Sequence, residues 1–217
     1  VADKSGIQFR LLNRSRGPAV RGPRTQSDRR LYKKYMQEKL VNYCNLSIFS
    51  DSVKGFIFHK NVINGILTSS GKEIHSNKVI LTTGTFLNGV IHIGDKRTPA
   101  GRYNEEPTTG LSEQLQKYNF KIGRLKTGTP PRLDGSTINY SNLEEQHPDE
   151  EVSFFSFLTK KNINKQISCG ITYTNEKVHD LIYKNIKRSA IYSGSIKGVG
   201  PRYCPSIEDK IFKFRDK

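Results

Sequence analysis

The chain has 217 residues, with 36 Lys or Arg against 20 Asp or Glu, a formal net charge of +16 and a pI of about 9.8. This length allows one large domain or two small ones with a real core, and the charge suits a polyanionic partner, nucleic acid before others, and equally a solubilising face. Cys44, Cys169 and Cys204 form no C-x-x-C pair and leave an odd count, which argues against a disulfide framework or structural zinc site, and no apolar run reaches membrane-span length.

Residues 1–40 carry 11 Lys or Arg against 3 Asp or Glu, half of the net excess. The sequence opens on Val1 and its one methionine is Met36, so it reads as an internal piece of a longer protein. Pro18 and Pro23 make 13–24 a loop. A helix is expected next, capped by Thr25 or Ser27, with Leu31, Tyr32, Tyr35, Met36, Leu40 and Tyr43 as a core-facing stripe. Short strands at 46–49, 53–59, 62–68 and 72–75, punctuated by Asn, Gly and Ser, predict an antiparallel meander.

The β-branched run 78–86 ends at Gly84-Thr85 and reads as a buried parallel strand meeting a ligand crevice. A helix over 111–118 and a strand over 120–124 follow. The segment 123–132 is dense in Gly, Thr, Pro and cations and offers N–H groups and charge to an anion, but it lacks P-loop spacing. Residues 133–174 read as a polar inserted lobe with strand-like 152–158 and 166–173. Asn175 caps a further helix through Val178, Leu181, Ile182 and Ile186; His179, within it, has no partner at metal-ligand spacing and reads as structural.

The most informative stretch is Gly200-Pro201-Arg202-Tyr203-Cys204-Pro205-Ser206-Ile207-Glu208. Gly and Pro on both sides of Cys204 predict irregular backbone rather than a packed element, and Arg202 and Lys210 lie close enough in sequence to favour the nucleophilic thiolate.

With the blocks 13–24, 81–87, 123–132 and 171–175, this stretch resembles the GidA/MnmG family of flavoproteins, which modify the wobble uridine of certain tRNAs at C5. The resemblance runs over essentially the whole chain in family order. It implies an α/β fold: a Rossmann-like FAD-binding domain with an antiparallel meander, interrupted by an α+β lobe. The division it implies is 1–131 for part of the FAD domain, 132–198 for an inserted NADH or substrate lobe, and 199–217 for a return to the FAD domain with the cysteine loop.

The resemblance also implies site residues. Cys204 matches a cysteine required for catalysis. Val53, Gly84, Thr85 and Thr108 fall to FAD, and Gly200, Pro201, Arg202, Tyr203, Ser206, Glu208 and Lys210 to NADH. Arg21, Arg24 and Arg29 are first choices for tRNA phosphates; no metal is implied. Methylenetetrahydrofolate is the expected one-carbon donor and an MnmE-type GTPase the expected partner. A homodimer without membrane attachment, in the bacterial cytoplasm or an organellar matrix, is the expected state.

Thiolate addition at C6 would make C5 of uracil nucleophilic, and a general acid or base role is the other reading of Cys204. No G-x-G-x-x-G lies within the 217 residues, so these residues alone are expected to bind FAD weakly and to lack activity. The rivals are a folate-dependent tRNA uridine methyltransferase, against which the block 200–208 argues, and an inactive split-gene remnant that keeps only basic nucleic-acid binding.

Overall fold

The computed structural model describes residues 1–84, 86–126, 128–196, 198 and 205–214. In chain order its regular elements are α1 (Ala2–Ser5), β1 (Gly6–Leu12), β2 (Gly22–Ser27), α2 (Arg29–Val41), β3 (Val53–His59), β4 (Val62–Thr68), β5 (Glu73–His75), β6 (Val90–Ile93) and β7 (Lys96–Pro99). They continue with α3 (Leu111–Lys117), β8 (Glu144–Gln146), β9 (Cys169–Ile171), α4 (Glu176–Lys184) and α5 (Ile207–Lys213). The chain divides into two compact units: 1–48 with 132–173, and 49–131 with 174–217.

The first unit is built around β1, which pairs antiparallel with β2. On its other edge the Phe9 carbonyl accepts the Asp149 N–H at 2.9 Å and the Ile7 carbonyl accepts the Ile167 N–H at 2.8 Å. Alternation sends Phe9 and Gln8 to opposite faces, yet both are 1% exposed. Phe9 meets Phe154 edge-on at 5.5 Å. Gln8 satisfies its amide by donating to the Gln146 carbonyl at 2.9 Å and accepting from Gln26 at 3.0 Å, as a buried polar group must.

Helix α2 is capped by Asp28, whose carboxylate accepts the N–H groups of Arg30 and Leu31, rather than by Thr25 or Ser27. No α2 residue is fully buried. Leu31, Tyr35 and Met36 are half-buried while Tyr32, Leu40 and Tyr43 are exposed, so the stripe lies on the unit instead of filling its core.

In the second unit β3, β4 and β5 form the expected meander in the order β3-β4-β5. Gly65 makes its bend possible: φ is +148° and an added Cβ would collide with the Ile74 carbonyl. Helix α3 lies against β3, where Tyr118, just past its end, stacks on Phe58 at 3.9 Å. Strands β6 and β7 make a hairpin, and α4 packs on α5. Asn175 caps α4 through the Val178 N–H, as the sequence predicts.

Several expected strands are not strands. Residues 46–49 have no ladder partner among the described residues and leave Ile48 60% exposed. The run 78–84 likewise lacks a ladder, with Ile80 87% exposed. The neighbouring Leu87 makes one isolated parallel bridge, to Thr108. An apolar run becomes a buried parallel strand only with strands on both sides, and all four described sheets are antiparallel pairings elsewhere. The segment 120–124 is not a strand, and 166–173 contributes only β9. Residues 152–158 turn because their N–H groups go to a carboxylate: Asp3 accepts from Phe155 and Ser156.

Candidate functional site

Within the second unit, three other parts of the chain, the turn at Thr108, the first turn of α3 and Arg124, converge on Asn88. Its φ of +48° is the left-handed conformation that asparagine tolerates. Its N–H donates to the Thr108 carbonyl at 2.8 Å. Its carbonyl accepts both terminal nitrogens of Arg124 at 3.3 Å. Its amide donates to Ser112 Oγ and Glu113 Oε1, both at 2.6 Å. The hydrogen bond to its own backbone, then those from Asn88 and Ser112, hold the Glu113 carboxyl below its ordinary value.

The expected FAD residues Val53, Gly84 and Thr108 all lie in this unit. Val53 opens β3, an edge strand that presents alternate backbone groups away from β4. A Cβ on Gly110 would lie 3.8 Å from the Lys54 carbonyl, so the turn after Thr108 sits beside the start of β3. Gly84 has φ +66° with nothing within 4 Å of an added Cβ. An edge strand, an open left-handed glycine and an exposed threonine fit a polar cofactor edge approached through backbone groups.

Two residues of the cationic block, Arg124 and Gly128, lie against Gly198 and Ser206, the described residues that flank the cysteine-bearing stretch. A Cβ on Gly198 would stand 2.7 Å from the Arg124 carbonyl, and one on Gly128 would touch the Ser206 Cβ at 3.7 Å. Thr85, Gly200, Pro201, Arg202, Tyr203 and Cys204 lie outside the described residues. Ser206 is the cap of α5, reciprocally with Asp209, and Glu208 and Lys210 lie in that helix. Glu208 accepts the Ser189 hydroxyl at 2.8 Å, and Asp209 accepts the Tyr192 hydroxyl at 2.7 Å.

The Lys213 ammonium, 2.8 Å from Asp209, is the main reason the Asp209 carboxyl is held far below the usual carboxylate range; burial opposes this, and Tyr192 and Ser206 add to it. Burial, then the Asp209 carboxylate, pushes the Tyr192 hydroxyl above its ordinary value. The turn 189–193 is thereby fastened to the helix that begins three residues after Cys204.

The expected phosphate-binding arginines lie in the first unit. Arg21 donates to the Arg14 carbonyl at 2.9 and 3.1 Å, and Arg14 in turn donates to Asp149 at 2.8 Å. Arg24 sits on β2 opposite Arg10, and Arg29 opens α2. All three are exposed, and none makes an ion pair among the described residues. Burial works against the Asp149 carboxylate, but the Arg14 hydrogen bond, the Leu11 N–H and the two arginine charges hold it below its ordinary value. His179 accepts or donates to the Thr174 hydroxyl at 2.7 Å, and no cluster of three metal-ligating side chains occurs among the described residues.

Asn88, Arg124, Tyr192 and Asp209 were not singled out by sequence reasoning. Asp209 had a readable signal, the Ser206-x-x-Asp209 spacing of a capping box. Asn88 had a weaker one, in a Leu-Asn-Gly turn.

Comparison with known proteins covers the whole chain. The family profile "Glucose inhibited division protein A" matches residues 1–217. A curated relative from Thermodesulfovibrio yellowstonii, tRNA uridine 5-carboxymethylaminomethyl modification enzyme MnmG, is 54% identical over 217 residues; the chain spans 35% of that relative's length. The form I crystal structure of Aquifex aeolicus GidA superposes with a TM-score of 0.87 at 47% identity, covering 100% of this chain and 37% of that one. The form II crystal gives 0.85 at 43%, covering 100% and 35%.

Proposed function

Because the chain belongs to the glucose-inhibited division protein A family and has its α/β fold, we propose that it is part of a flavin-dependent enzyme that installs a carboxymethylaminomethyl or related aminomethyl group at C5 of the tRNA wobble uridine. The observation that carries this reading is the 54% identity to the tRNA-modifying relative across all 217 residues. The convergence of 87–88, 108, 124 and 198 in one unit supports it.

In this reading Val53, Gly84, Thr85 and Thr108 hold FAD, which supplies two-electron redox chemistry when bound. Residues 200–203 with Ser206, Glu208 and Lys210 receive NADH. Methylenetetrahydrofolate provides the carbon. The Cys204 thiolate adds to C6 of the uracil, so that the electron pair reaches C5; when C5 has been substituted, loss of its proton expels the thiolate and restores the ring. Arg21, Arg24 and Arg29 contact phosphates, which gives affinity more than sequence choice. An MnmE-type GTPase and a second copy of the protein complete the assembly, in the bacterial cytoplasm.

The test is a chimera in which these 217 residues replace the matching segment of the Thermodesulfovibrio relative, produced in bacteria lacking the modification. Nucleoside mass spectrometry should find the modified uridine with the chimera and not with its Cys204→Ser variant, while both proteins retain bound FAD. An active Cys204→Ser variant would refute the thiol's role, and a colourless, inactive chimera would refute the reading as a whole.

A further inference from the structure

The turn at 156–159 displays two apolar side chains that nothing in its own unit covers. Phe157 is 100% exposed and Leu158 88% exposed. The turn is nevertheless held firmly. The Thr159 N–H closes it on the Ser156 carbonyl at 3.1 Å, and Asp3, itself 6% exposed, accepts from the Phe155 and Ser156 N–H groups at 2.9 and 3.0 Å and from the Thr159 hydroxyl at 2.8 Å. Just before it, Phe154 is anchored against Phe9. One phenylalanine of the stretch is turned inward as an anchor and another is presented outward on a braced turn.

The surroundings are cationic. Lys160 and Lys161 follow the turn directly and are exposed. Helix α1, which carries Asp3, packs on α2, the helix of Arg29, Arg30, Lys33 and Lys34. A single support therefore carries a rigid aromatic platform and a field of positive charge. Unpaired bases stack on such aromatics while their phosphates take the cations. A lipid surface fits less well, since one turn with two apolar side chains offers little apolar area to a bilayer.

We propose that Phe157 is a stacking platform for an unpaired base of RNA, with Lys160 and Lys161 on the adjoining phosphates. This rests on the RNA reading above and adds to it a contact that distinguishes single-stranded from paired substrate. Fluorescence anisotropy on the full-length chimera described above, with a short RNA stem–loop and a fully paired duplex of equal phosphate number, tests it. Phe157→Ala should weaken stem–loop binding about 5- to 100-fold, leave duplex binding and the salt slope unchanged, and leave the circular dichroism unaltered because the ring is not buried. Phe157→Tyr should restore binding.

Equal stem–loop affinity for wild type and Phe157→Ala would overturn the stacking contact alone. Equal loss on both RNAs would overturn it too. A wild-type chimera that binds neither RNA would overturn the RNA reading with it. Phe157-dependent binding to phosphatidylserine vesicles in place of RNA would assign the turn to a membrane instead.

Discussion

Substituting Asp3 tests whether a buried carboxylate braces the first unit. Three donors converge on it: two backbone N–H groups and the Thr159 hydroxyl, all within 3.0 Å. Burial alone would raise its pKa, but these hydrogen bonds outweigh burial and hold the carboxyl below its ordinary value. In Asp3→Asn the amide can turn its oxygen toward Ser156 and Thr159, which leaves its nitrogen facing the Phe155 N–H. One charge-assisted bond is then lost, a cost of roughly 1.5–3 kcal/mol. Asp3→Ala loses all three and should cost roughly 3–5 kcal/mol.

The chain has no tryptophan, so urea unfolding followed by circular dichroism is the suitable assay, and the midpoint should fall at unchanged slope. A carboxyl with a depressed folded pKa stabilises fully above its unfolded value of about 3.9 and loses that contribution as pH falls through the folded value. The deficit of Asp3→Asn should therefore be largest near neutrality and shrink below about pH 4. A deficit under about 0.5 kcal/mol, or one of equal size at neutral and acid pH, would refute the brace.

Two glycines separate steric need from openness. Gly84→Ala should cost about 1–2 kcal/mol for the left-handed backbone alone, because nothing lies within 4 Å of the added carbon; Gly198→Ala adds about 1–3 kcal/mol of overpacking against the Arg124 carbonyl. Thermal unfolding of the two variants should rank them in that order, and in the FAD-loaded chimera Gly84→Ala should lose flavin beyond its small stability loss. Replacing Arg21, Arg24 and Arg29 together by Gln should lower the slope of log affinity against log salt for tRNA by about 2–3; an unchanged slope would remove them from the interface. Asp209→Asn should cost roughly 1–3 kcal/mol near neutrality. Since the wild-type carboxyl is depressed, that penalty should fade as pH drops below the ordinary carboxylate range, and a penalty growing in acid would contradict the assignment.

The legible parts of the fold were those whose stabilisation is local. Alternation with Asn and Gly punctuation marks β3, β4 and β5, and Asn175 followed by an apolar stripe marks α4. Strand β1 alternates Ile7, Phe9 and Leu11 with Gln8 and Arg10, a signal that was available but overshadowed by the Arg- and Pro-rich loop beside it. Apolar runs misled where they report appetite for a sheet without reporting a partner. Residues 78–84 have that composition but no ladder among the described residues. At 152–158 the backbone donors are captured by Asp3, about 150 residues away in sequence, and no local pattern announces such a capture.

The candidate site belongs to the same second category, which explains why its residues were reached through family resemblance and its scaffold was not. Thr108 and Arg124 are both tied to the backbone of Asn88, and Gly198 in turn lies against the Arg124 carbonyl. Backbone groups carry no side-chain identity, so a sequence shows only the residues that permit the geometry: an asparagine and a glycine at positive φ, and an arginine long enough to span to a carbonyl. Sites assembled this way tolerate little at those permissive positions. Their substitution should therefore disturb cofactor and substrate binding together, whereas exposed positions such as Arg24 and Phe157 should affect RNA alone.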